Sequence, residues 1–290
     1  MGHLPQEAGP VKYDLTEPAE LTQREYELFR QLVYVHSGIN LGQEKQHLLR
    51  ARLGKRLRAG HFRSFREYYE FVLNDKTGEE LATVLDAIST NTTHFYREKR
   101  HFDLLAKMVT DDLKTHAQRR RTIRIWSAGC SSGEEPYSIA MTVYDIVKHH
   151  PEVEVKILAT DLSVEMLSQA RLGVYDAIRL GTLPPSFAKA YFVAYGGYRS
   201  GKVQVIPEVR KLITFARFNL IQEKFRFKNP FDAIFCRNVM IYFDRPTQQA
   251  LVARFHEHLK PGGLLLIGHS ESLNSLKHNY HYVEPAVYRK

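Results

Sequence analysis

The chain has 290 residues, 43% of them hydrophobic and 25% charged, which suits one large domain or two modest ones with a sizeable core and excludes disorder throughout. Lysines and arginines number 41 against 32 aspartates and glutamates, and the formal net charge of +9 predicts an acidic partner without saying which kind. No apolar run approaches the roughly 18–20 residues of a membrane span, residues 1–10 lack a signal-like apolar stretch, and Cys130 and Cys236 are too few for a disulfide framework or a four-cysteine zinc site. A cytoplasmic chain is expected.

Residues 1–18, with Pro5, Pro10 and Pro18, read as a flexible tail. At Thr22-Gln23-Arg24-Glu25 the spacing is that of a capping box, and Leu28, Phe29, Leu32 and Val33 form the buried stripe of a helix that stops at Gly38. A second helix is predicted over 43–59, with Leu49, Leu53 and Leu57 on one face. Its other faces carry Lys45, Arg50, Arg52, Lys55, Arg56 and Arg58. Amphipathic segments at 64–73 and 78–88 complete a small helical domain, 19–88. Ser89-Thr90-Asn91-Thr92-Thr93 is polar and β-branched, a poor helix former, and marks a linker over 89–100.

Beyond a helix from Arg100 to about Ala117 and the basic turn Arg119-Arg120-Arg121, short apolar strands alternate with helices. The strands are expected at 123–127, 155–160, 233–236 and 264–268, the pattern of an α/β fold with a mainly parallel sheet. Apolar pieces at 191–193, 203–206 and 211–215, joined by Gly-rich turns, predict an antiparallel β-insertion over about 188–216.

Chemistry is expected where strands end. Strand 123–127 runs into Ala128-Gly129-Cys130-Ser131-Ser132-Gly133-Glu134-Glu135-Pro136, at the carboxyl edge where open α/β sheets bind ligands. Neither a dinucleotide fingerprint nor a P-loop is present, and Glu134 and Glu135 at a helix start oppose a phosphate, so a ligand with a cationic part is favoured. Asp161 ends the next strand, where an acid can take both hydroxyls of a ribose or cap the following helix. Phe235-Cys236-Arg237-Asn238-Val239 forms a third tip, and His258-Leu259-Lys260-Pro261-Gly262-Gly263 leads into the last strand.

In serial order and spelling these segments resemble a class I S-adenosylmethionine-dependent methyltransferase, and more closely the bacterial chemotaxis receptor methyltransferases, the CheR family. The resemblance is carried by Asn91-Thr92-Thr93-His94-Phe95-Tyr96-Arg97-Glu98, Trp126-Ser127-Ala128-Gly129, Ser132-Gly133-Glu134-Glu135-Pro136-Tyr137-Ser138-Ile139-Ala140, Ala159-Thr160-Asp161, Asn219-Leu220 and the stretch from Phe235 to Phe243, and it extends from about residue 20 to the end. It implies a Rossmann-like methyltransferase domain with a β-insertion behind an all-α domain.

It also implies a cofactor pocket fed by Asn91, Thr93, Arg97, Glu134, Asp161, Asn219, Leu220, Asn238 and Val239, with Arg97 and Tyr242 nearest the chemistry and no metal. Arg97 suits a carboxylate of cofactor or substrate, Glu134 the methionyl ammonium, Asp161 the ribose and Asn219 the adenine edge. The family reaction esterifies receptor glutamates and leaves S-adenosylhomocysteine. On that reading Arg50, Arg52, Lys55, Arg56 and Arg58 dock glutamate-rich receptor helices, the β-insertion is a place for a receptor's C-terminal peptide, and a monomer recruited to receptor arrays at the inner membrane face is expected. The rival readings are a nucleic-acid methyltransferase, suggested by charge, and a non-catalytic cofactor-binding regulator. Asn238-Val239-Met240-Ile241-Tyr242 lacks the prolines of an amino-methylase loop, and Phe235 stands where a cytosine-C5 methylase has the proline beside its cysteine.

Overall fold

A computed structural model describes residues 20–116, 120–181, 183–197 and 200–290. The expected tail, Arg119 of the basic turn, and Tyr198 and Arg199 of the insertion loop lie outside them. The chain divides into two compact units, one ending at Ile88 and the other running from Ser89 to Lys290, and residues 33–41 group with the second.

The first unit is helical: α1 (Gln23–Ser37, grouped here as far as Leu32), α2 (Gln46–Ala59, after a 3-10 turn), α3 (Phe65–Asn74) and α4 (Glu79–Ile88). Helix α1 opens on a reciprocal cap, the Glu25 amide donating to Thr22 Oγ1 at 3.2 Å and the Thr22 amide to Glu25 Oε2 at 3.0 Å. Phe29 of α1, Leu49, Leu53 and Leu57 of α2, and Phe65, Tyr68 and Val72 of α3 are buried. Phe29 and Tyr68 stack at 5.9 Å. Two of the basic residues of α2 turn inward. Arg56 grips the buried Glu80 with Nε and Nη2, each at 2.6 Å, and Tyr68 donates to the same carboxylate at 2.7 Å. Arg52 Nη1 donates to the Ile88 carbonyl at 2.6 Å, fastening the end of α4.

In the second unit, α5 (Arg100–Thr115) precedes β1 (Arg121–Ala128), α6 (Glu134–Val147), β2 (Val153–Asp161) and α7 (Val164–Leu172). Then come β3 (Val174–Asp176), α8 (Pro185–Tyr191), β4 (Phe192–Tyr195), β5 (Lys202–Val205) and the short α9 (Pro207–Arg210). The chain closes with β6 (Ile213–Arg217), β7 (Phe231–Cys236), α10 (Arg245–His258), β8 (Leu259–Ile267), β9 (His281–Glu284) and β10 (Val287–Arg289). The main sheet has the order β6-β2-β1-β7-β8-β10-β9, with its first five strands parallel and β10 antiparallel to both neighbours. Alternation along β1 sends Ile123 and Ile125 into the core that α5 and α6 cover, and Trp126 and Ala128 into the core shared with α10.

Two expectations need correction. Residues 213–217 do not belong to the insertion: β6 pairs in parallel with β2 from Ile157↔Ile213 to Asp161↔Arg217 and forms the edge of the main sheet. The insertion is a separate antiparallel sheet, β3-β5-β4, whose third member is the three-residue β3. A short β-branched strand carries no signature of the sheet that takes it, so contiguity with β5 was misleading. Beyond β8, expected as the last strand, β10 and β9 extend the sheet by an antiparallel pair.

Candidate functional site

Strand order reverses direction around β1, which leaves a crevice outside the carboxyl ends of β1, β2 and β7. The turn after β1 is fixed to β2: the amides of Gly129 and Cys130 donate to the Thr160 carbonyl at 2.8 and 2.9 Å. Asp161 extends the connection, accepting from the Ser131 amide at 2.7 Å and the Ser163 amide at 2.9 Å. The helix cap itself is Ser163, whose hydroxyl accepts from the Met166 amide. Asp161 therefore stands at the β2 tip as a clamp between two backbone turns. Gly129 has φ +90, and a Cβ there would collide with Val239 Cγ2, so glycine lets the β1 turn and the β7 turn lie side by side.

Glu134 opens α6 fully buried. Its carboxylate accepts from Ser132 Oγ at 2.6 Å and pairs with Arg179 Nη1 at 2.5 Å, while burial pushes its pKa above the ordinary carboxylate value. Past β7, Asn238 takes a left-handed backbone (φ 58), and its amide donates to Glu271 Oε2 at 2.9 Å. Glu271 also accepts from Gly268 and Ile241 and so shapes the β7 turn from the end of β8.

The segment 91–98 lies against these tips. Ser131 Oγ donates to the Asn91 carbonyl at 3.0 Å, the Tyr96 amide donates to Ser138 Oγ at 3.0 Å, and Arg97 Nη1 donates to the Thr92 carbonyl at 3.2 Å, with Thr93 half-buried between them. Asn91, Asp161, Asn238 and Val239 are thus drawn to one edge through Ser131 and Gly129. Asn219 follows β6, with Nδ2 donating to the His36 carbonyl at 2.7 Å and Oδ1 accepting from the Ile221 amide. Leu220 is buried in the core around Trp126, with the half-buried Tyr242 packed against it. The Tyr242 carbonyl accepts from the Asn40 amide at 2.8 Å.

The cations assigned to docking, Arg50, Arg52, Lys55, Arg56 and Arg58, all sit on α2 of the first unit. Arg50, Lys55 and Arg58 are exposed, whereas Arg52 and Arg56 are engaged within their own unit as described.

Sequence reasoning missed the centre of this edge. Arg237, nearly buried, donates through Nη1 to Glu135 Oε2 at 3.0 Å, through Nη2 to Glu98 Oε2 at 3.0 Å, and to the Arg97 carbonyl. It also lies 5.6 Å from the centre of the Phe102 ring. One guanidinium thereby ties 91–98 to α6 and to the β7 tip. Burial raises the Glu135 carboxyl, and at Glu98 burial is outweighed by Arg237 and the His269 amide, which hold the carboxyl below its ordinary value. The available signal was an arginine at the mouth of a buried apolar strand, a place where a charge needs partners.

A carboxylate clamp at the β2 tip, a buried carboxylate at the start of α6 and a glycine turn lying against Val239 suit a ligand bearing ribose hydroxyls and a positive charge. With the sheet order and the all-α unit ahead of it, this is the architecture of a class I S-adenosylmethionine-dependent methyltransferase, and the residues present fit that cofactor.

Comparisons with known proteins narrow the class. Residues 91–288 match the CheR methyltransferase SAM binding domain and residues 24–89 the CheR methyltransferase all-alpha domain. A chemotaxis protein methyltransferase of Borreliella burgdorferi is 41% identical over 273 residues, covering 93% of this chain and 95% of that protein. Chemotaxis protein methyltransferase 2 of Pseudomonas aeruginosa is 40% identical, covering 92% and 93%, and the chemotaxis protein methyltransferase of Escherichia coli is 38% identical, covering 94% and 93%. The chain belongs to the CheR methyltransferase family.

Proposed function

We propose that this protein methylates chemoreceptors in chemotactic adaptation, esterifying glutamate side chains and releasing S-adenosylhomocysteine. The observation that carries the reading is the joining of Asp161, Asn238-Val239 and the segment 91–98 at one sheet edge, in a member of the CheR family. S-adenosylmethionine, when bound, supplies an electrophilic sulfonium methyl. The chain's own residues have positioning work to do. A glutamate nucleophile with an ordinary pKa near ~4.3 is already ionised at neutral pH, so no general base is required. Alignment of that carboxylate can contribute much of the roughly 7–11 kcal/mol available to well-oriented intramolecular reactions.

In this reading Asp161 holds the ribose, Asn219 and Leu220 the adenine, Asn91, Thr93, Asn238 and Val239 line the pocket, and Glu134 attracts the ammonium group. Arg97 orients a carboxylate, and Tyr242 borders the methyl path. The exposed Arg50, Lys55 and Arg58 meet glutamate-rich receptor helices. The outer strand β4, with Val193 and Tyr195 exposed, offers an edge for a receptor's C-terminal peptide.

The test uses purified protein, methyl-labelled S-adenosylmethionine and either a receptor cytoplasmic fragment or RNA and DNA. Base-labile label on the receptor fragment is expected. Label on nucleic acid alone would overturn the reading, and binding of cofactor without any transfer would leave a regulator in its place.

A further inference from the structure

Sharing Glu98 with the Arg237 network is a group of side chains to which the methyl transfer assigns no direct role. Among the described residues, Glu98, His101 and His269 form the one set of three or more histidine, cysteine or acidic residues whose ligand atoms all lie within 4.8 Å of one another. Glu98 lies just ahead of α5 and His101 in its first turn, three residues apart. His269 comes from the loop after β8, and the two imidazole rings stand edge to face at 5.2 Å.

His101 supplies a second, independent observation. Its side chain is 0% exposed, and neither Nδ1 nor Nε2 has a hydrogen-bond partner. The approach of Nδ1 to Glu98 Oε2, 3.5 Å, is too long for a hydrogen bond. Leaving a buried polar side chain unsatisfied costs about 1–3 kcal/mol, so such a group calls for an explanation.

We infer that Glu98, His101 and His269 form a binding site for a divalent transition metal of the zinc class. Two imidazoles and one carboxylate are borderline donors, suited to zinc or iron(II) and poorly suited to magnesium or calcium, which take oxygen shells. His269 is exposed and gives the ion a path to the buried ring. The guanidinium of Arg237 is the local objection. Its Nε and Nη2 both donate to Glu98 Oε2, at 3.3 and 3.0 Å, and its Nη1 to Glu135, which leaves Glu98 Oε1, the acceptor of the His269 amide at 3.2 Å, as the oxygen for an ion. The Glu284 carboxylate adds negative charge near His101.

The experiment is calorimetric titration of tag-free, chelator-treated full-length protein with zinc chloride, and separately with magnesium chloride. A single-site zinc isotherm is expected, weakened by about tenfold or more in His269→Ala, which removes one ligand from an exposed position and keeps every other histidine. His269→Asn, which retains a polar side chain, should behave likewise. Equal zinc affinity in both variants and wild type, absence of zinc binding in wild type, or magnesium bound as tightly as zinc would each overturn the assignment.

Discussion

Arg237 at the end of β7 and the cations of α2 carry the same formal charge under opposite conditions. Arg237 is almost out of solvent and shared between Glu98 and Glu135, so its charge is spent on geometry: it holds the 91–98 segment against the sheet. Lys55 and Arg58 stand in water, where screening leaves little stabilising value and the field they project outward is what remains. Arg56 is intermediate, partly exposed yet gripping a buried carboxylate. The net charge of +9 therefore divides into residues that build the molecule and residues that face solvent, and burial sorts them better than position in sequence does.

The sharpest test of that division is Arg237→Leu, which strands Glu98 and Glu135 without their cation. A loss of about 3–5 kcal/mol is expected, read as a lower urea midpoint for the second unit. A wild-type midpoint would show that the network is not structural. Next, Asp161→Ala should weaken cofactor binding by roughly 10- to 100-fold, the equivalent of hydrogen bonds to a charged group. An unchanged dissociation constant by calorimetry would remove Asp161 from the pocket.

On the exposed side of the comparison, the pair Lys55→Glu and Arg58→Glu should slow receptor methylation by about tenfold at low salt, and less as salt rises, with cofactor affinity and stability preserved. Reversing Arg52 or Arg56 would be a poorer test, since both brace the helical unit. If methylation is indifferent to the double reversal at all salt concentrations, the α2 face is a solvated surface and nothing more.

The smallest effect expected concerns pH. Hydrogen bonding to Arg56 holds Glu80 below its ordinary carboxyl value despite burial. A carboxyl depressed in the folded state contributes stability above its unfolded pKa of 4.5 and loses it as pH falls through the folded value. Protection factors of α2–α4 amides, corrected for the intrinsic exchange rate, should thus fall below pH 4.5, and the paired variant Arg56→Met/Glu80→Gln should flatten that slope.

What could be read from sequence was local. The Thr22–Glu25 cap, the stripe of Leu49, Leu53 and Leu57, and the strands leading to Gly129, Asp161 and Asn238 each announce themselves within a dozen residues. The assignment of β6 failed because its pairing with β2 is decided by tertiary contact, and β9–β10 were missed because β9 is largely exposed and β10 spans only three residues. Arg237 joins residues more than a hundred positions away, so no window along the chain could show what it holds. Inward-turned Arg52 and Arg56 were hidden for the same reason: a helical wheel gives the face, and only the packed helices give the partner.

Tyr175 of β3 donates to the Ser132 carbonyl at 2.8 Å, and a Cβ on Gly133 would sit 2.9 Å from the same hydroxyl. Arg179, just beyond β3, is the cation on Glu134. The small sheet is consequently wired to the first turn of the crevice. A strand added at its edge and a ligand seated at the turn would share one spring, and by thermodynamic reciprocity each would register the other. Insertions swapped between relatives are then expected to carry a change of cofactor affinity with them.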